Sequence, residues 1–139
     1  GGRDLWLLST GTGVAPFVAI VSDESIMDKY ERVFLVHGVR NWNETQYLQH
    51  VLKLQPKLRV MASVTRDAGA MIDVRIPDAL ESGLLEATAE AEITPQASRV
   101  MLCGNPAMVK AVRAAMRARG IVSPRNGEPG QLLAENFWL

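Results

Sequence analysis

Apolar residues in this chain fall into short unbroken runs, separated by stretches that carry a helical period. Leu5-Trp6-Leu7-Leu8, Val33-Phe34-Leu35-Val36 and Val100-Met101-Leu102-Cys103 are continuous apolar runs of strand length. A strand apolar on both faces belongs inside a parallel sheet. Leu58 to Val64 alternates more loosely and reads as a further strand, and Gln131 to Glu135 as a short final one. Between them, Val14, Phe17, Val18 and Val21 recur at helical spacing and predict a helix over Val14 to Ser22, with Pro16 tolerated in its first turn. Asn43 reads as an N-cap with Gln46 three residues on, ahead of a buried stripe of Tyr47, Leu48, Val51 and Leu52 that Pro56 stops. Pro77 sits as a first-turn proline and Gly83 as a C-cap, which predicts a short helix over Pro77 to Ser82. Asn105 as N-cap, Pro106 at the first helical position, the stripe Met108, Val109, Val112, Ala115 and Met116, and a closing Gly120 make the best-specified element. Asp23 to Glu31 is polar and reads as a loop. Glu86 to Ser98 shows no clear period and reads as surface chain, with some extra helix possible near Leu84 to Ala87.

The order is β-α-β-α-β-α-β-α-β, which predicts an α/β fold: a three-layer α/β/α domain on a mostly parallel five-stranded sheet. At 139 residues the chain is one domain, able to bury roughly two-thirds of its surface. In such sheets ligands bind beyond the carboxyl ends of the strands, where the strand order reverses. The four strand ends worth inspecting are Ser9-Thr10-Gly11-Thr12-Gly13, His37-Gly38-Val39-Arg40, Val64-Thr65-Arg66 and Cys103-Gly104-Asn105-Pro106. All carry small or polar residues.

The first of these ends has its own chemistry. A strand that turns through Gly and Thr into a helix presents free backbone N–H groups and the positive end of a helix dipole, which suits a phosphate. Gly11 and Gly13 let the backbone come close to a ligand, and Thr10 and Thr12 add hydroxyl donors. The pattern is Gly-x-Gly-x-x-Pro, and a strand-to-helix turn with no ligand is an equal reading of these residues alone. Composition narrows the classes. Lys plus Arg and Asp plus Glu are 15 each, so no overall field draws the chain to nucleic acid or an acidic membrane. A lone Cys103 excludes an internal disulfide and a cysteine-based zinc site, and no metal site is expected. No apolar run is long enough to cross a membrane, no signal peptide is visible, and the expected location is cytoplasmic. Gly1-Gly2-Arg3 leads almost at once into a core strand, so the chain is expected to be a piece of a longer protein.

Taken in order, Ser9-Thr10-Gly11-Thr12-Gly13-Val14-Ala15-Pro16-Phe17, Val36-His37-Gly38-Val39-Arg40, Val64-Thr65-Arg66, Met101-Leu102-Cys103-Gly104-Asn105-Pro106, Glu128-Pro129-Gly130 and Glu135-Asn136-Phe137-Trp138 form a set. Together they strongly resemble the C-terminal, NADP-binding half of the ferredoxin–NADP⁺ reductase family, bacterial type, over nearly the whole chain. The resemblance implies a missing N-terminal β-barrel that binds most of the FAD, and a partner that is ferredoxin or flavodoxin. Residues 1–139 would then be the NADP-binding domain, and hydride would pass between NADPH and flavin in the whole enzyme.

The same resemblance implies roles for particular residues. Thr10, Gly11, Thr12, Gly13 and Val14 would receive the NADP pyrophosphate, and Gly104, Asn105 and Pro106 would also bind the cofactor. Arg40 and Arg66, with Arg75 less firmly, would hold the 2′-phosphate, a dianion that favours several charge-assisted donors. Asp73 could blunt that positive field. Cys103 would lie beside the nicotinamide as a positioning group. Phe137 would cover the flavin ring, Trp138 would reach toward the FAD adenine, and Glu135 would help proton movement or nicotinamide orientation. His37 reads as a satisfied strand-end histidine and His50 as a surface one, with no catalytic part for either. Two alternatives stay open: the reductase component of an NADH-dependent oxygenase system, and a nucleotide-binding module with no activity of its own.

Overall fold

A computed structural model describes residues 3–45, 57–67, 69–125 and 130–136. The strands are β1 (Asp4–Thr10), β2 (Arg32–Val39), β3 (Leu58–Val64), β4 (Ser98–Gly104) and β5 (Leu132–Asn136). The helices are α1 (Val14–Val21), α2 (Glu24–Met27), α3 (Ile76–Ser82), α4 (Leu84–Ala89) and α5 (Pro106–Ala118). They form one five-stranded sheet of order β3-β2-β1-β4-β5. Every pairing in it is parallel. The sheet is as the continuous apolar runs predict, and more uniformly parallel than "mostly".

Strand alternation sorts the core into two layers. Leu5, Leu7, Val33, Leu35, Leu58 and Cys103 face α1 and α2, meeting Val14, Phe17, Val21 and Met27. Trp6, Leu8, Phe34, Val36, Val100 and Leu102 face α3, α4 and α5, meeting Leu80, Leu85, Val109, Val112 and Met116. Trp6 stacks on Phe34 at 4.2 Å between ring centroids in the middle of that second layer. The α5 signals act as read: the Asn105 side chain accepts from the N–H of Ala107 at 2.8 Å and of Met108 at 3.4 Å. Gly83 ends α3 in the left-handed region at φ 83°.

Three expectations need correcting. Asp23 to Glu31 is not all loop: α2 forms there, capped by Asp23, whose carboxylate accepts from the Ser25 N–H at 2.9 Å and from its hydroxyl at 2.6 Å. One turn with one buried residue, Met27, is too short to print a period. The chain over Glu86 to Ser98 is not surface drift either. Leu85, Ala89 and Ile93 are all buried at four-residue spacing, and α4 carries the first two. Glu90 then leaves the helix at φ 55°, which hides the repeat by cutting it short. Asn43 is no helix N-cap, because it lies inside a 3₁₀ turn, Trp42–Thr45. The helix expected from Tyr47 to Leu52 falls outside the described residues.

Candidate functional site

The chain runs from β1 outward through β2 to β3, then crosses back to place β4 on the other side of β1. The connections leaving β1 and β4 therefore depart to opposite faces, α1 to one and α5 to the other. A crevice opens between them at the carboxyl edge.

Its two walls interlock through glycine. A Cβ on Gly13 would stand 2.4 Å from the Cys103 carbonyl oxygen and 2.8 Å from the Gly104 Cα. A Cβ on Gly104 would stand 2.4 Å from Thr10 Oγ1 and 2.7 Å from the Thr10 carbonyl oxygen. Gly104 also holds φ 138°, a conformation side-chain-bearing residues avoid. The backbones of the two turns thus use the space these glycines leave. That differs from the sequence reading for Gly13, where the space was assigned to a ligand. Thr10 Oγ1 closes the junction by accepting from the Asn105 N–H at 2.8 Å. Gly11 is exposed at φ 54° in a 3₁₀ turn, Gly11–Gly13, that runs straight into α1, and no side chain caps α1. Pro16 has no N–H, so an anion here would meet N–H groups of this turn rather than a full first turn of α1.

Cys103 is 2% exposed and packs with Leu5, Leu7 and Phe17 beneath the crevice. Glu135 is its register partner on β5, and Asn136 is the partner of Gly104, so β5 ends at the same edge. Phe137 and Trp138 lie outside the described residues.

The arginines gather on the other flank. Backbone bonds continue past the ends of β2 and β3: Thr65 N donates to Val39 O at 3.2 Å and Arg66 N to Arg40 O at 2.8 Å. Arg40 and Arg66 therefore stand on adjacent chains, both exposed. Arg75 is the exposed residue that opens α3, and the following Ile76 reaches to 3.3 Å from where a Gly38 Cβ would stand. That contact, with Val64 N donating to Ile72 O at 3.0 Å, brings Arg75 to the same edge. Asp73 is exposed, and among the described residues neither Arg66 nor Arg75 has a carboxylate at ion-pair distance.

Two carboxylates here escaped the sequence reading. Asp67 accepts from the Trp42 N–H at 2.7 Å and the Asn41 side-chain amide at 3.3 Å, tying the loops after β2 and β3 together. Glu44 accepts from the Arg40 N–H at 2.9 Å. The available signals were the Arg40-to-Glu44 spacing of four and an Asp directly after Arg66.

Ser9 and His37 lie one step below the edge, both buried, with Ser9 Oγ 2.9 Å from His37 Nδ1. The satisfied-histidine reading stands. Burial pushes the His37 imidazole below its usual value, against smaller upward pushes from Ser9 and Glu44. Well above pH 6.5 neither folded nor unfolded imidazole carries a proton, so this contribution to stability is complete. As pH falls below that, the unfolded chain takes up a proton the folded one refuses, and stability drops until the folded imidazole titrates. The urea midpoint should therefore fall from pH 7.5 to 5.5, and His37→Gln should flatten that decline. Identical slopes for the two proteins would exclude this role.

Among the described residues no group of three or more His, Cys, Asp or Glu is placed to hold a metal. None of the described helices is long and apolar enough to cross a membrane.

The profile of the oxidoreductase NAD-binding domain family matches residues 7–114. The chain is 40% identical to the ferredoxin–NADP reductase A of Sorangium cellulosum (strain So ce56), covering 96% of this chain and 52% of that protein. It is 37% identical to the ferredoxin–NADP reductase of Azotobacter vinelandii, covering 99% of this chain and 58% of that one. A crystal structure of a ferredoxin NADP⁺ reductase from Neisseria gonorrhoeae with bound FAD and NADP superposes with a TM-score of 0.92 at 33% identity, over 99% of this chain and 57% of that one. The chain thus spans a little over half the length of the relatives it matches.

Proposed function

The chain belongs to the oxidoreductase NAD-binding domain family, and from that premise we propose that it is the NADP(H)-binding domain of a ferredoxin–NADP⁺ reductase. Hydride then moves between NADPH and FAD in the full-length enzyme, with electrons exchanged with ferredoxin or flavodoxin. The observation that carries this reading is the joint placement of the Gly/Thr turn at the β1–β4 crevice and of Arg40 and Arg66 on adjacent strand ends. The similarity to reductases named for NADP supports the choice of nucleotide.

The residues present fit a dinucleotide. The Thr10 to Val14 turn at the head of α1 takes the pyrophosphate, with Gly104, Asn105 and Pro106 forming the opposite wall. Arg40, Arg66 and Arg75 take the 2′-phosphate, where charge-assisted donors on two flanks suit a dianion. Cys103, buried under the crevice, acts by packing: it holds the floor on which the nicotinamide rests. Glu135 serves the nicotinamide end, while Phe137 covers the flavin ring and Trp138 reaches toward the FAD adenine, both toward an N-terminal FAD domain. NADPH when bound supplies the hydride, and the part of this chain is to bind and orient it. The reading carries with it a cytoplasmic location and no nucleic-acid partner.

Calorimetric titration of this chain with NADP⁺ and NAD⁺ at one ionic strength tests it. A preference for NADP⁺ that weakens with salt is the expected result. Equal affinities would move the protein toward NADH-using reductases. Binding of neither would set the reading aside for this chain.

A further inference from the structure

The end of β2 carries an anion as well as a cation. Glu44 stands on the 3₁₀ turn Trp42–Thr45, four residues after Arg40. Its Oε2 accepts from the Arg40 main-chain N–H at 2.9 Å, and its Oε1 lies 3.9 Å from Arg40 Nε. The turn closes on itself where Glu44 N donates to Asn41 O at 3.1 Å, and it is tied to the next loop where Trp42 N donates to the Asp67 carboxylate at 2.7 Å. The Glu44 carboxylate is therefore held beside the guanidinium by the backbone. Arg40 is 65% and Glu44 38% exposed in the side chain, so a ligand reaching the arginine from solvent meets both charges.

We propose that Glu44 is a specificity-determining residue that opposes the 2′-phosphate, narrowing the preference for NADP(H) over NAD(H). This rests on the reading of Arg40 as a 2′-phosphate contact. A phosphate that engages Arg40 shares it with a carboxylate already beside the same group, and like charges at that range repel. A bare ribose 2′-hydroxyl behaves in the opposite way. It is a donor, and a carboxylate after the second strand is an acceptor for it. The main-chain bond to Arg40 leaves lone pairs on both Glu44 oxygens for that purpose. Among the described residues Arg66 and Arg75 have no such carboxylate, so the opposition is confined to Arg40.

The test is titration of NADP⁺ and NAD⁺ into the wild type, Glu44→Gln and Glu44→Asp at one ionic strength. Glutamine keeps an oxygen for the Arg40 N–H and removes only the charge. Glu44→Gln should bind NADP⁺ about three- to five-fold tighter, the scale of an exposed ion pair, with no gain for NAD⁺. That gain should shrink as salt is added. Glu44→Asp, which keeps the charge, should hold the wild-type ratio. A Glu44→Gln ratio equal to the wild type, or a weaker NADP⁺ affinity, would show Glu44 to be a support for Arg40 and overturn the proposal. Failure of the wild type to bind NADP⁺ at all would instead overturn the nucleotide site, and this proposal with it.

Discussion

Replacing Gly104 with alanine should destabilise the fold by about 3–4 kcal/mol, the sum of an overpacked contact and a strained backbone. The new Cβ would stand 2.4 Å from Thr10 Oγ1, 2.7 Å from the Thr10 carbonyl oxygen and 2.9 Å from its nitrogen. Two of these are main-chain atoms of the central strand, which cannot rotate out of the way. The residue would also have to hold φ 138°. Gly13→Ala separates the two causes. Its φ is −60°, so only the clash remains, with the Cys103 carbonyl and the Gly104 Cα, worth about 1–3 kcal/mol. Gly83→Ala isolates the other, since nothing lies within 4 Å of that Cβ at φ 83°, and about 1 kcal/mol of backbone strain is expected. Urea unfolding of the three variants ranks them. A Gly104→Ala protein within 1 kcal/mol of the wild type would mean the two turns are not locked together. Because the same contact joins the walls of the crevice, nucleotide affinity should fall with stability in Gly104→Ala and Gly13→Ala, but not in Gly83→Ala.

Replacing Arg66 with glutamine should weaken NADP⁺ by about 1.5–3 kcal/mol, the range for a hydrogen bond to a charged group. NAD⁺ should barely change. Arg40→Gln should act in the same direction and by less, because its guanidinium already shares a carboxylate at 3.9 Å. Both side chains are exposed and outside the core, so the unfolding midpoint should stay where it is. Paired titrations with the two nucleotides read the effect directly, and in the full-length enzyme kcat/KM for NADPH should fall by a similar factor. Equal losses for NADP⁺ and NAD⁺ would remove the 2′-phosphate from Arg66 and assign the arginine to the shared part of the dinucleotide.

The strands were the most legible part of the chain. Leu5 to Leu8, Val33 to Val36 and Val100 to Cys103 read as interior parallel strands because a strand covered by helices on both faces has no polar side to show. The start of α5 was legible because Asn105 accepts from the N–H groups just beyond it and Pro106, with no N–H to lose, suits the first helical position. Short elements were not. The single turn of α2 and the clipped repeat of Leu85, Ala89 and Ile93 carry too few residues for a period to emerge. At the site, the turn, the arginines and Cys103 were all singled out in advance. Asp67 and Glu44 were passed over, because a carboxylate near an arginine looks like any solvated charge until its backbone partner is known.

What this sequence determined by itself is local: which runs are strands, where helices start, and which residues end each strand. Burial, capping and glycine conformations act over a few residues and leave their mark in order. Strand order leaves no such mark, since every interior parallel strand asks for the same apolar run. Only the tertiary structure placed β4 beside β1 and so opened the crevice, and only the continued pairing of β2 with β3 set Arg66 against Arg40. It also changed the reason for Gly13 and supplied one for Gly104. Their missing side chains make room for the backbone of another strand's turn, a contact across some ninety residues of chain that no local pattern encodes.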